Sequence, residues 1–152
     1  MPFILSSTSL ERLQGVDERL VACVKSAIKR SSVDFGVSEG LRTMATQERY
    51  VLAGKSQTMD SKHLRGEAVD LVAYIDGKVS WELNVYDDIA AAMRDAAIEL
   101  ELPIRWGAAW NVPDICKWDG GMAAAMNYYI DERRRQGKRP FIDAPHFEIA
   151  SS

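Results

Sequence analysis

Residues 68–75 (Ala-Val-Asp-Leu-Val-Ala-Tyr-Ile) are dense in β-branched and aromatic side chains and run straight into Asp76-Gly77. An Asp-Gly pair behind such a run is the signature of a two-residue hairpin turn, so the chain is expected to fold back through Lys78-Val-Ser-Trp81 as an antiparallel partner. A parallel sheet would instead need a crossover helix at that point.

Helical periodicity surrounds this hairpin. Leu20, Val21, Val24, Ala27 and Ile28 recur at helical spacing over 17–30, behind a capping Asp17. A helix over 45–53 should stop at Gly54. The clearest helix covers 85–101, with Asn84 as its cap, Asp87 and Asp88 in its first turn, and a stripe of Val85, Ile89, Met93, Ala96 and Leu100. Another covers 120–136, closed by Gly137 and carrying Arg133, Arg134 and Arg135 at its negative pole. Strands are expected at 33–37 and at His146–Ile149. Helices mixed with hairpin signals predict an α+β fold, a small antiparallel sheet flanked by helices in one domain spanning residues 1–152.

Several classes are excluded or demoted. The 152 residues carry 19 Lys+Arg against 22 Asp+Glu, a net charge of −3, which argues against nucleic acid as a partner. No apolar run approaches the roughly 18 residues of a membrane span, so no membrane insertion is expected. The first residues, Met1 to Ser6, lack a basic region and a long apolar stretch, so a secretory signal is not expected either. Cys23 and Cys116 are too few for a disulfide framework and lack metal-type spacing. Trp81, Trp106, Trp110 and Trp118 are expected in the core or in a cleft wall. A monomer is the default.

The chain has only two histidines, and each has carboxylates close by. The first lies in Ser61-Lys-His63-Leu-Arg-Gly66-Glu-Ala-Val-Asp70, the second in Asp143-Ala-Pro145-His146-Phe-Glu148. Two imidazoles and one carboxylate match the three-ligand set of a hydrolytic zinc site, which keeps a fourth position for water, and on spacing alone two hydrogen-bonded polar histidines are the equal alternative. Strand alternation places Asp70 with Ala68 and Val72, opposite the more apolar face of Val69, Leu71 and Ala73. Gly66 permits a tight turn after His63, and Pro145 is expected to hold Ala144 extended. Glu148 alternates with His146 and can face the same side, either orienting a histidine or forming a salt bridge. Arg42, judged by itself, reads as a surface ion pair with Glu39 or Glu48.

Taken together, Ser61-x-His63-x-x-Gly66-x-Ala68-x-Asp70 and Asp143-x-Pro145-His146-Phe147-Glu148 resemble the zinc peptidases of the M15 family. That family includes VanX/VanY-type D-Ala-D-Ala peptidases and phage endolysins that cleave the L-alanyl-D-glutamate bond. Upstream, Gly40-Leu-Arg42-Thr…Gln47 is similar to the family's Gly-x-Arg-[Ser/Thr]…Gln pattern. Arg105-Trp106-Gly107-Ala-Ala-Trp110 is similar to the Arg-Trp-Gly-Gly-x-Trp segment of its short members, with Ala108 replacing the second glycine.

The resemblance implies a zinc site in a cleft of a hedgehog/D-Ala-D-Ala peptidase-like fold. Its ligands would be His63, Asp70 and His146, with Asp143 as general base. Arg42 would stabilise an oxyanion or hold a substrate carboxylate, and Ser61, Gln47 and Glu148 would support the ligands. The implied substrate is the peptidoglycan stem peptide, cut at L-Ala–D-Glu. D-Ala-D-Ala hydrolysis and a non-catalytic zinc-binding recognition module are the alternatives. The expected location is the host cytoplasm before lysis and the cell wall, reached in the periplasm, after release, with no separate wall-binding domain.

The run from Arg133 to Arg139 is read as a solvated helix end, with attraction to anionic envelope polymers as its alternative. Acidic positions Asp76, Asp87 and Asp114 are read as caps and turns rather than a Ca²⁺ site.

Overall fold

The computed structural model describes residues 2–56 and 58–151. The expectation of one domain over 1–152 therefore includes Met1, Gln57 and Ser152, which lie outside the described residues. Five strands form one antiparallel sheet: β1 (Asp34–Glu39), β2 (Ala68–Ile75), β3 (Lys78–Ser80), β4 (Ile104–Trp106) and β5 (His146–Ile149). Their order is β1-β2-β5-β4, with β3 returning on β2 across the Asp76-Gly77 turn. The helices are α1 (Ser7–Arg12), α2 (Glu18–Arg30), α3 (Met44–Leu52), α4 (Leu83–Glu99) and α5 (Met122–Arg135).

The core lies where β2 meets the helices. Val69, Leu71 and Ala73 of β2 are fully buried and join Leu20, Cys23, Val24 and Ala27 of α2 and Ile89, Met93, Ala96 and Ala97 of α4. Both helices are amphipathic because their apolar residues recur every three or four positions, so each buries one stripe. Alternation leaves Ala68, Asp70 and Val72 on the other face, as the sequence predicts.

Two helix starts differ from expectation. α4 begins at Leu83 behind Glu82, with no side-chain cap, so Asn84 is inside the helix and Asp87 and Asp88 lie beyond its first turn. α5 starts at Met122 behind Gly121. Trp81 is 66% exposed, contrary to its expected core or cleft position, and stacks on Tyr86 at 6.3 Å. α1 was not foreseen, since six residues are too few for a periodic pattern. It covers the outer edge of β1, where the Val37 N–H donates to Ser9 Oγ (2.9 Å) and Arg12 Nη1 donates to the Val37 carbonyl (3.0 Å).

Two loops are fixed by their own hydrogen bonds. The Lys62–Arg65 turn is capped by Ser61, whose Oγ accepts from the His63 N–H, and is ended by Gly66 at φ 69°. Asp143–His146 forms a turn closed by the His146 N–H on the Asp143 carbonyl (3.0 Å), with Ala144 and Pro145 at its centre. Gly107 is clamped against that turn. Its N–H donates to the His146 carbonyl (2.8 Å) and its carbonyl accepts from the Asp143 N–H (2.9 Å).

A Cβ on Gly107 would meet the Asp143 carbonyl oxygen at 2.2 Å and His146 Cβ at 2.9 Å. Gly107→Ala must push the turn away and is expected to lower stability by about 1–3 kcal/mol in urea denaturation. Gly121, the residue ahead of α5, has no neighbour within 4 Å, and Gly121→Ala should cost less, under about 1 kcal/mol. Equal losses for the two variants would refute the clamp.

Candidate metal centre

The open face of the sheet assembles the site by register. Asp70 of β2 pairs directly with His146 of β5, and Ala68 pairs with Glu148. Directly opposed residues share a face with their Cβ atoms about 5 Å apart, so the ladder alone brings Asp70 to His146 and places Glu148 next in the row. On the other side of β2, Glu39 pairs with Asp70 because a bulge falls between Val37 and Glu39. Val37 faces the core, and plain alternation would send Glu39 there too. The extra residue, Ser38, reverses the parity and turns Glu39 to the open face.

His63 enters from the turn ahead of β2. Its Nε2 lies 3.2 Å from Asp70 Oδ1 and 3.2 Å from His146 Nδ1, and His146 Nδ1 is 3.2 Å from the same Asp70 oxygen. A tetrahedral ion with donors at about 2.0 Å has donor–donor edges of about 3.3 Å, so this triangle has the dimensions of one face of such a shell.

Hydrogen accounting leads to the same conclusion. His63 Nδ1 is 2.8 Å from the Gly40 carbonyl, which can only accept, so that nitrogen carries the hydrogen. His146 Nε2 donates to Glu148 Oε1 at 2.8 Å. With both outward nitrogens protonated, the inward ones turn lone pairs towards each other and towards an anionic oxygen. Three converging acceptors call for a cation between them, and His63, Asp70 and His146 can together hold a metal ion.

The titration behaviour follows from the same charges. Burial opposes ionisation of Asp70, yet the two imidazoles beside it hold its carboxyl far below the usual range. Burial would lower the His146 value, but bonds to Asp70 and Glu148 push it up to about 10. Glu148 is held low against its own burial by His146 and the charges of Lys62 and Arg105.

Arg42 is buried, not a surface residue, although it does bind Glu39. Its Nη1 donates to Gln47 Oε1 at 2.6 Å, its Nη2 is 3.5 Å from Asp70 Oδ2, and its guanidinium lies 4.6 Å from the centre of the Tyr50 ring. Tyr50 also donates to Glu39 Oε2 (3.0 Å). Gln47, fully buried, ties this cluster to the following loop through the Ser56 hydroxyl and the Thr58 carbonyl.

Asp143 lines the same cavity, about 970 Å³ in volume, as His63, Asp70 and His146. Among the described residues nothing donates to its carboxylate. Burial first, then the charge of Asp70, raise its pKa to about 6 against the pull of His146, His63 and Arg42. Aromatic side chains suspend its segment by their polar ends. Trp106 Nε1 donates to the Ala144 carbonyl (2.7 Å), Trp110 Nε1 donates to the Phe141 carbonyl (3.0 Å), and the Phe141 N–H donates to the Tyr129 hydroxyl (3.0 Å). Trp106 is a core residue, while the Trp110 ring stands 5.3 Å from that of His146 in the cavity wall.

Every predicted site residue is thus gathered around one cavity or against its lining. Sequence reasoning missed the Gly40 carbonyl, Tyr50 and Lys62, whose Nζ lies 3.5 Å from Glu148 Oε2. A backbone acceptor leaves no side-chain signature, and Lys62 beside His63 carries no pattern of its own.

The family model described as phage L-alanyl-D-glutamate peptidase matches residues 1–150. The chain is 33% identical over 115 residues to the L-alanyl-D-glutamate peptidase of Escherichia phage T5, covering 73% of this chain and 84% of that relative. It is also similar to the crystal structure of Serratia marcescens L-Ala D-Glu endopeptidase ChiX, with a TM-score of 0.72 and 38% identity over 97% of this chain and 90% of the other.

Removing Arg42 would strand Glu39 and Gln47 without their shared donor. Arg42→Ala is expected to cost about 3–5 kcal/mol in urea denaturation, and Arg42→Lys to recover only part, because an ammonium cannot reproduce the planar fork. Full recovery by lysine would contradict the geometry.

Proposed function

The chain belongs to the phage L-alanyl-D-glutamate peptidase family, and from that premise we propose that it is a zinc-dependent peptidoglycan endopeptidase hydrolysing the L-Ala–D-Glu bond of stem peptides. The observation that carries this reading is the triangle of three mutually facing acceptors, His63 Nε2, Asp70 Oδ1 and His146 Nδ1, each 3.2 Å from the others. Imidazole and carboxylate donors in a three-point set suit zinc with one position left for reaction.

When bound, zinc supplies Lewis acidity that polarises a carbonyl and makes water a stronger nucleophile at neutral pH. The chain supplies the rest. Asp143, uncommitted to any donor and raised to about 6, is poised to take a proton from the attacking water and return it to the departing amine of the D-glutamyl residue. Arg42 is permanently charged and oriented by Glu39 and Gln47, which suits it to the oxygen that gains charge during attack. Glu148 and the Gly40 carbonyl hold the two imidazoles in the tautomers that present lone pairs inward.

One sheet with its helices packed on it supports reading the chain as a single catalytic domain, and a monomer is the proposed state. No helix among the described residues is long and apolar enough to cross a membrane. Kinship with a phage peptidase supports accumulation in the host cell and action on the wall after release.

Digestion of purified sacculi followed by mass spectrometry tests the reaction. New amino-terminal D-Glu is expected, and release of D-Ala or D-Ala-D-Ala would overturn the bond assignment. A chelator should abolish cleavage, with recovery on adding Zn²⁺. Asp143→Asn should retain the metal and lose about 10²–10⁴-fold in kcat. Undiminished turnover by that variant would remove Asp143 from its role.

A further inference from the structure

Six cationic side chains line the cavity: Arg42, Lys55, Lys62, Arg65, Arg105 and Arg133. Three of them have carboxylate partners. Arg42 meets Glu39 and Asp70, Lys62 lies 3.5 Å from Glu148, and Arg65 binds Asp60 (2.8 Å) and Glu67 (3.1 Å). Lys55 is exposed at the rim, 5.7 Å from the centre of the Tyr50 ring.

Arg105 and Arg133 are different. Among the described residues neither has a carboxylate within ion-pair distance, although both are partly buried. Each is pinned along the same edge by a backbone carbonyl instead. Arg105 donates to the Trp110 carbonyl through Nε (2.8 Å) and Nη2, and Arg133 donates to the Arg139 carbonyl through Nε (3.3 Å) and Nη2 (3.1 Å). In both, Nη1 has no partner among the described residues. A carbonyl fixes the direction of a guanidinium without cancelling its charge, so the free edge is preorganised for an anion.

The position of Arg105 is informative. It pairs with Glu148 across the β4–β5 ladder, but Glu148 commits one oxygen to His146 and turns the other to Lys62. Its guanidinium lies 5.2 Å from the Trp110 ring, and that ring lies 5.3 Å from His146. A guanidinium with its Nη1 free among the described residues therefore stands beside Trp110, the indole that also flanks His146.

The proposed substrate carries the matching anion. A D-glutamyl residue has two carboxyl groups, and whichever continues the chain, the other remains free. It sits on the residue whose nitrogen departs. We propose that Arg105, with Arg133 lining the same cavity, binds that free carboxylate and makes the enzyme specific for an acidic residue on the leaving side. The proposal rests on the endopeptidase reading and names the residues that set its specificity.

The test compares two synthetic stem peptides that differ only in this group, one with the free carboxylate and one with a carboxamide, using the zinc-loaded full chain. Sacculus digestion runs in parallel, and zinc content and melting temperature are measured for every variant. The wild type is expected to favour the acid by about 10- to 100-fold in kcat/KM. Arg105→Gln should lose most of its rate on the acid and less on the amide, bringing the ratio below about threefold. Arg105→Lys should restore part of the ratio, and Arg133→Gln should reduce it by a smaller factor.

Equal cleavage of both peptides by the wild type would overturn the subsite and leave the endopeptidase reading standing. An Arg105→Gln variant that slows on both peptides alike, with the ratio kept, would also overturn it and reduce Arg105 to a support for Trp110. Should the wild type cut neither peptide and release no D-Glu termini from sacculi, the endopeptidase reading fails, and the subsite with it.

Discussion

Three hydrogen-bond acceptors that face one another at 3.2 Å with no hydrogen between them repel unless a cation joins them. Much of the molecule is arranged to keep His63, Asp70 and His146 in that relation. The β2–β5 register opposes Asp70 to His146, and the capped turn from Ser61 to Gly66 swings His63 over them. The Gly40 carbonyl and Glu148 then hold the outward hydrogens. These partners lie on different segments, so the candidate metal site is a property of the folded chain rather than of any one motif. Occupation by an ion would in turn stabilise the fold.

Placement of the proposed base follows a second principle. With no donor to its carboxylate among the described residues, Asp143 must have its position fixed through its backbone. Gly107 clamps the turn from one side, and Trp106, Trp110 and Tyr129 grip the flanking carbonyls and N–H from the other. This accounts for the Arg-Trp-Gly segment in physical terms. Trp106 buries its ring in the core and uses its indole N–H on the loop, while Gly107 allows an approach that any side chain would block. The Ala108 departure from the family pattern falls on a fully buried position, where a small residue still fits.

Much of this was readable beforehand, for identifiable reasons. Alternation along 68–75 put Asp70 on the less apolar face, and the scarcity of histidine made His63 and His146 conspicuous. Helices α2 and α4 announced themselves because they are long and one-sided. What escaped depends on relations that no local pattern encodes. Glu39 reaches the site because one extra residue, Ser38, inverts strand parity. Arg42 looked like a surface ion pair, and only the packing of Gln47, Tyr50 and Asp70 around it shows why it is buried. Trp81 looked like a core residue, yet the short β3 strand ends before it and leaves it outside, against Tyr86. Helix starts at Leu83 and Met122 lack side-chain caps, so a reading based on caps misplaces them.

The central claim is that one ion is held jointly by the turn before β2 and the strand that ends the sheet. X-ray absorption at the zinc edge, on protein loaded with one equivalent, tests it most directly. The account predicts only nitrogen and oxygen neighbours at about 2.0–2.2 Å with the multiple-scattering pattern of two imidazoles. A spectrum showing sulfur neighbours, or one lacking the imidazole pattern, would contradict it.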